Sequence, residues 1–477
     1  MKEVFLIALC LYGSNRLYAQ LPFKPLDEEF NVSRVIIPEG LKYDVLFREE
    51  DTVFSIQGKP APAKGMHDYN VYMPFKASSK YGQLFVGHES VTSSDILGDG
   101  GGGTIMSIVK NKNGWRTYGS KIAIDFSAIG GTYNNCSGYY ASSKGTILSA
   151  EEFPPASNAE MFKKGFRDTS DYNGRPRYHN FGWMVEINPK EYKATSKLYA
   201  MGRYSHEAAY VMPDNKTVYL TDDFLPSVFF KFVCEKENQF DKGQLYAYKQ
   251  LPDSHKGVWI KLPMEMDSLV IIRDVALRMG ASIFVRMEWM TGVDGKIYIT
   301  ETGADDFSLK KEIEKGGIPA NHLSAYKKNS DYEYDYPYGS VLVFDPATDE
   351  MKVYLAGGAG KRNKHFSNPD GICHTQWKGK KYLVINEDLV GVTKGRVNKE
   401  GEQKNIYTNE IWWLDLSVQN PTIDDLQRFL IAPAGAETTG GYFTPDGKTY
   451  FVNIQHPDDN NSYPFDKSLT LAITGFK

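Results

Sequence analysis

A short unit recurs six times along the chain: a turn carrying Gly or Asp/Asn-Gly-Lys, an apolar β run, and then acids or a histidine. The copies occupy residues 81–89, 144–152, 214–223, 294–301, 378–387 and 446–456. Asp-Gly-Lys turns between β runs read as hairpins, and blades set radially leave only short protected edges. Spacings of about 60 to 90 residues exceed the roughly 40–45 of a minimal blade, which leaves room for long loops. The pattern predicts an all-β fold, a six-bladed β-propeller with long inter-blade loops and a few short helices. Residues 308–315 and 422–430 are the helix candidates.

Around this repeat the chain divides into three parts. Residues 1–19 read as a signal peptide: Lys2, an apolar run from Val4 to Leu11, then a polar patch with cleavage expected after Ala19. Residues 20–66 form an N-terminal extension or a strand contribution to the propeller, with one strand expected at 35–37. Residues 67–477 are the propeller and catalytic domain. Export to the periplasm or the medium is expected.

Charge and composition exclude several classes. A formal net charge of -4 advertises no basic face for nucleic acid. With 13% aromatic residues, 24% charged and 31 Tyr, the chain is a folded, β-leaning protein rather than a disordered one. No window beyond the leader approaches roughly 18 uninterrupted apolar residues, so no membrane span is expected. A monomer acting on small molecules is expected. Of four cysteines, Cys10 leaves with the leader, so Cys136, Cys234 and Cys373 cannot all pair with one another. Cys234, in the run Val228-Phe229-Phe230-Lys231-Phe232-Val233, reads as a buried inert thiol. Cys136 sits in an Asn/Ser/Gly turn, where ligation is more credible.

One strand end of every blade faces the central channel of a propeller, so the acids closing each copy converge: Glu89, Glu151, Asp223 and Glu301. A second set opens the unit at His206-Glu207, Arg286-Met287-Glu288, Asp370-Gly371 and Glu437-Thr438, about 10 to 16 residues earlier. An antiparallel pair returns both sets to one rim. Carboxylates gathered there raise one another's pKa unless cations compensate them. Hard oxygen ligands suit Ca²⁺, Mg²⁺ or Fe³⁺, and a thiolate from Cys136 points to a transition metal. Other signals are weaker. The run from Gly98 to Gly103 lacks the Gly-Lys-Ser/Thr of a phosphate-cradling loop and reads as a flexible turn. Ser205-His206-Glu207 is no triad by adjacency. His456 reads equally as a ligand or a structural histidine, and Trp412 and Trp413 as blade packing.

The ordered set of motifs resembles the PhoX alkaline phosphatase family over roughly residues 60 to 460. It comprises Gly87-His88-Glu89, Asn135-Cys136-Ser137-Gly138 with Glu151-Glu152, Met201-Gly202-Arg203-Tyr204-Ser205-His206-Glu207, Thr221-Asp222-Asp223, Arg286-Met287-Glu288, Ser367-Asn368-Pro369-Asp370-Gly371 and Asn453-Ile454-Gln455-His456-Pro457. The resemblance implies a six-bladed propeller with Fe³⁺ and Ca²⁺ in its channel, hydrolysing phosphate monoesters. It implies that Cys136 is an iron ligand taking part in catalysis, that Arg286 binds phosphate, and that Glu288 binds metal. Glu89, Glu151, Glu207, Asp223 and Glu437 match acidic motif positions and complete the implied ligand set. The chain departs from the family at 139–144, where relatives often carry Thr-Pro-Trp, and at Gly371-Ile372-Cys373-His374, where a Trp is common. A propeller hydrolase of another class, such as a Ca²⁺-dependent lactonase or a phosphodiesterase, and a non-catalytic binding propeller stabilised by calcium are the alternatives. Metal content and a phosphate-ester assay separate them.

Overall fold

The computed structural model describes residues 21–252, 254–304, 337–361, 364–389 and 408–477. Among these, six sheets of four to six strands, antiparallel except for one parallel pairing of Thr52–Phe54 with Gly114–Ala123, are arranged as propeller blades, with one further two-stranded ribbon. The innermost strands are His67–Pro74, Asn135–Ala141, His206–Val211, Met287–Val293, Pro369–Trp377 and Glu437–Phe443. Each packs beside the next, and the last beside the first, so they form a closed ring around the channel. The second strand of each blade is the β run of one repeat copy: Tyr81–His88, Thr146–Glu151, Thr217–Asp222, Lys296–Glu301, Lys380–Glu387 and Thr449–Gln455. The six-bladed propeller expected from the repeat is the fold observed.

The ring is closed by the chain's two ends. Lys42–Arg48 pairs antiparallel with Leu469–Thr474 and supplies the outermost strand of the sixth blade. Thr52–Phe54 and Pro60–Pro62 extend the outer edge of the first. At 35–37 there is no strand but a single bridge, Ile36 to Ile431. The expected helix at 422–430 is instead a one-turn 3-10 element, Ile423–Asp425, followed by the strand Gln427–Ile431. That strand is the outer edge of the fifth blade and is buried continuously from Arg428 to Ile431, a short, mostly apolar run whose periodicity alone does not separate strand from helix. The helix candidate at 308–315 and the leader lie outside the described residues. The described helices are short: Asn158–Lys163, Met266–Leu269 and Ile272–Arg278. None is long and apolar enough to cross a membrane.

Blades pack on one another through apolar faces. Trp412 and Trp413 are fully buried in two different clusters, on opposite faces of one strand, and Cys234 is buried as expected. The run from Gly98 to Gly103 is not a free turn. The ammonium of Lys64 is buried there, donating to the carbonyls of Gly98, Gly100 and Gly101 at 2.9, 2.6 and 2.9 Å and to Thr92 at 3.2 Å.

A candidate metal centre at one channel mouth

Five of the six innermost strands carry the same irregularity. Register slips by one residue between His67 and Asn70, Asn135 and Gly138, His206 and Ala209, Met287 and Met290, and Pro369 and Ile372. Such a bulge leaves an extra residue unpaired and re-aims its side chain. The residues in the bulges begin with Asp68, Cys136, Glu207, Glu288 and Asp370. In the sixth blade Glu437 opens the strand in register, and the slip comes further along, between Gly440 and Tyr442. A second tier follows the end of each second strand: Glu89, Glu152, Asp223, Thr302, Asp388 and His456.

These two tiers meet. Ligand atoms of Asp68, Cys136 and Glu207 lie within 4.8 Å of one another, as do those of Glu207, Glu288 and Asp370, and those of Asp388, Glu437 and His456. Glu207 is common to two of the groups. Asn134 Nδ2 donates to Glu89 at 3.2 Å and to Glu152 at 3.3 Å, tying two second-tier acids together. Gln455 Nε2 donates to Glu89 at 2.9 Å. Thr302 Oγ1 donates to Glu288 at 2.6 Å.

The electrostatics are one-sided. Burial is the leading cause that raises the carboxyls of Asp68, Glu152, Glu207, Glu288, Asp370 and Glu437 well above the usual range, and neighbouring carboxylates add to it. Glu89 and Asp388 are raised as well, again with burial first. Burial, then Glu207 and Glu152, pushes the Cys136 thiol far up. Against these stands Arg286, whose Nε and Nη2 donate to the two oxygens of Asp223 at 2.8 and 2.9 Å. Its Nη2 also lies 3.3 Å from Glu288. Burial works against the guanidinium charge, but Asp223 and Glu288 outweigh it and hold the pKa well above its ordinary value. Buried carboxylates so outnumbering their cations stay neutral or take up more positive charge.

Of the residues expected from the sequence, Glu89, Cys136, Glu207, Asp223, Arg286, Glu288 and Glu437 come together at this mouth. Glu151 does not. Its side chain lies on the opposite side of the strand end from Glu152, paired with Lys197 and accepting from the amides of Gly182 at 2.9 Å and Trp183 at 3.2 Å. Glu301 likewise accepts from Val285 N at 3.1 Å and Ser340 Oγ at 2.9 Å. Asp222 is held by Arg273, and Glu387 accepts from the amides of Ser367 and Glu410, both at 3.0 Å. In each acid-terminated copy the first acid braces the blade and the residue after it faces the channel. Asp68, Glu152, Asp370 and Asp388 join the site although the expected ligand set omits them. Asp68 lies one position into its strand like Glu207 and Glu288, and Asp388 follows Glu387 as Asp223 follows Asp222, so the repeat register itself would find both. His206 is structural: its Nε2 meets Gly202 O at 2.8 Å and its ring stacks on Tyr204.

The departures at 139–144 and 371–374 sit elsewhere. Residues 139–144 lie toward the far end of the Cys136 strand and its turn. Tyr139, Tyr140, Ile372, Cys373 and His374 line a cavity of about 1150 Å³ that opens among the other ends of the innermost strands and includes none of the site's acids.

Fold and site together define a β-propeller that gathers carboxylates from every blade, with one thiol and one arginine, at a single channel mouth. The family model for alkaline phosphatase PhoX matches residues 21–458, and the chain belongs to that family of phosphoric monoester hydrolases. Among solved structures it is similar to Pseudomonas fluorescens PhoX in complex with vanadate, a transition state analogue, at 20% identity and a TM-score of 0.73, covering 95% of this chain and 98% of that one. A calcium structure of a Trichoderma reesei carbohydrate-active enzyme of family AA12 aligns at 9% identity and a TM-score of 0.41, covering 94% and 99%. No curated protein matches the chain.

Proposed function

We propose that this protein is an exported phosphatase that hydrolyses small phosphate monoesters at a cluster of iron and calcium ions held in the acidic channel mouth. The observation that carries the reading is donor chemistry left without partners. Asp370 Oδ1 and Asp388 Oδ1 are buried and accept no hydrogen bond among the described residues, within a site where buried carboxylates far outnumber guanidinium groups. Bound cations resolve both problems at once. His456 adds support: its Nδ1 meets Gly435 O at 2.9 Å, so in the neutral ring Nε2 is the lone-pair nitrogen, and it faces Glu437 Oε2 at 3.3 Å. Two acceptors face each other there unless a proton or a metal stands between them.

Asp68, Cys136, Glu207, Glu288, Asp370 and Glu437 would hold metal from the inner strands, with Glu89, Glu152, Asp223, Asp388 and His456 from the second tier. Glu151 is left out of the set. The single thiol, which only a bound cation would keep as thiolate among these acids, favours iron beside the oxygen-bound calcium. Such ions, when bound, supply Lewis acidity for phosphoryl transfer. The chain's own part is orientation: Asp223 locks the Arg286 fork, and its Nη1, without a partner among the described residues, is left to bind a phosphoryl oxygen. The leader-like sequence of residues 1–19 supports export.

Elemental analysis of purified protein, with p-nitrophenyl phosphate hydrolysis at alkaline pH, tests the reading. Iron plus calcium with turnover is expected; a metal-replete preparation showing neither refutes it.

A further inference from the structure

Among the described residues, two phenyl rings next to the site belong to none of the buried apolar clusters. Phe153 and Phe224 each directly follow a second-tier acid, Glu152 and Asp223, yet remain 41% and 39% exposed. The equivalent positions in the other blades carry Ser90, Gly303, Leu389 and Pro457, all buried. Both aromatic residues are fixed by the main chain. Phe153 adopts a left-handed φ of 40°, which a phenyl side chain disfavours, while its amide donates to Ser205 Oγ at 2.8 Å. Ser205 O in turn accepts from Asp223 N at 3.0 Å, so one residue tethers Phe153 to the Asp223-Phe224 turn. Phe224 O accepts from the amide of Arg286 at 3.3 Å. The Arg273 guanidinium lies 3.8 Å from the centre of the Phe224 ring and is itself held by Asp222, which locks the ring on one face.

We infer that Phe153 and Phe224 form the wall of a leaving-group subsite beside Arg286, selecting phosphate monoesters whose alcohol carries a planar apolar ring. The inference rests on the phosphatase reading. With the phosphoryl group on Arg286, the ester's alcohol must leave the acidic mouth past a rim. On blades two and three that rim is aromatic, where a ring gains contact area and stacking that a short alkyl group does not. Burying the ring in the reacting complex shows as preference in kcat/KM.

Benzyl phosphate and ethyl phosphate test this, because both have alkyl alcohols as leaving groups and differ in the ring. The metal-loaded wild type is expected to prefer benzyl phosphate. Phe153→Ala and Phe224→Ala should each lower kcat/KM for benzyl phosphate about tenfold while ethyl phosphate stays within about twofold. Phe224→Leu, which keeps an apolar wall, should recover part of the loss. Binding supplies a second readout: phenylphosphonate should bind the wild type more tightly than methylphosphonate, and the gap should narrow in both alanine variants. Turnover of both esters without preference, or equal loss on both in the variants, overturns the subsite and leaves the phosphatase reading standing. Turnover of neither ester by metal-loaded wild type overturns the phosphatase reading and the subsite with it.

Discussion

Arg286 grips Asp223 with two parallel hydrogen bonds, Nε to Oδ1 at 2.8 Å and Nη2 to Oδ2 at 2.9 Å, across two blades. The planar fork fits a carboxylate in a way that a lysine ammonium does not. Arg286→Lys keeps the charge but loses the fork. Its kcat/KM for p-nitrophenyl phosphate is expected to fall on the order of 10²-fold, the scale seen when one preorganised donor to a transition state is lost. Calcium and iron content should stay near wild type. A variant with wild-type kcat/KM sinks the phosphate-binding role.

Cys136 lies at the start of its strand with Sγ 3.2 Å from His206 O, buried among Glu207, Glu152, Asp68 and Glu89. Cys136→Ala removes only a sulfur atom from a bulge at the edge of a buried apolar cluster, so the melting temperature of the metal-free protein should move by only a few degrees. Iron should be lost and activity abolished. Iron retained at wild-type stoichiometry shows that the thiol is not a ligand.

The blade count and the converging acids are written in the repeat, because strand period and turn chemistry are local. Which acid of a pair faces the channel is not. Glu151 and Glu152, or Asp222 and Asp223, are indistinguishable in sequence, and their sides are set by the register with the neighbouring strand. That register depends on a bulge at Cys136-Ser137 or Glu207-Ala208 that carries no glycine or other local mark. Hence the expected ligand set contains Asp223 from one pair and Glu151, the wrong member for the channel, from another. Once one pair is oriented, the repeat register carries that orientation to Asp68 and Asp388. The N-terminal closing strand, Lys42–Arg48, carries no repeat motif, because its partner lies at the other end of the chain.

Glu151 and Lys197 make a buried ion pair with side chains 0% and 1% exposed. Burial raises the Glu151 pKa and lowers that of Lys197, each opposed by the partner's charge. Removing one member strands the other, so Lys197→Met should cost about 3–5 kcal/mol in denaturant unfolding. Adding Glu151→Gln should recover most of that loss, because the amide oxygen can still accept from Gly182 and Trp183. A double variant no more stable than Lys197→Met argues that Glu151 is not chiefly the partner of Lys197. In the same series, Glu152→Gln should lower metal content and Glu151→Gln should not.

Lys64 gives a pH signature. Burial draws its pKa down to about 8, with Asp99 opposing the shift. Below pH 8 the ammonium is charged in folded and unfolded protein alike, so its desolvation counts fully against the fold. Between about 8 and the ordinary lysine value near 10.4 the folded protein has shed a proton that the unfolded chain still holds. The unfolded state then binds more protons, and stability rises with pH by at most about 1.4 kcal/mol per unit. Lys64→Met lacks this slope and leaves the carbonyls of Thr92, Gly98, Gly100 and Gly101 without their donor. It should therefore be the less stable protein at pH 7, with the gap to wild type widening from pH 8 to 10.4. Urea unfolding of both proteins across that range measures the gap directly. A gap that stays constant shows that the four carbonyls hold the ammonium charged throughout.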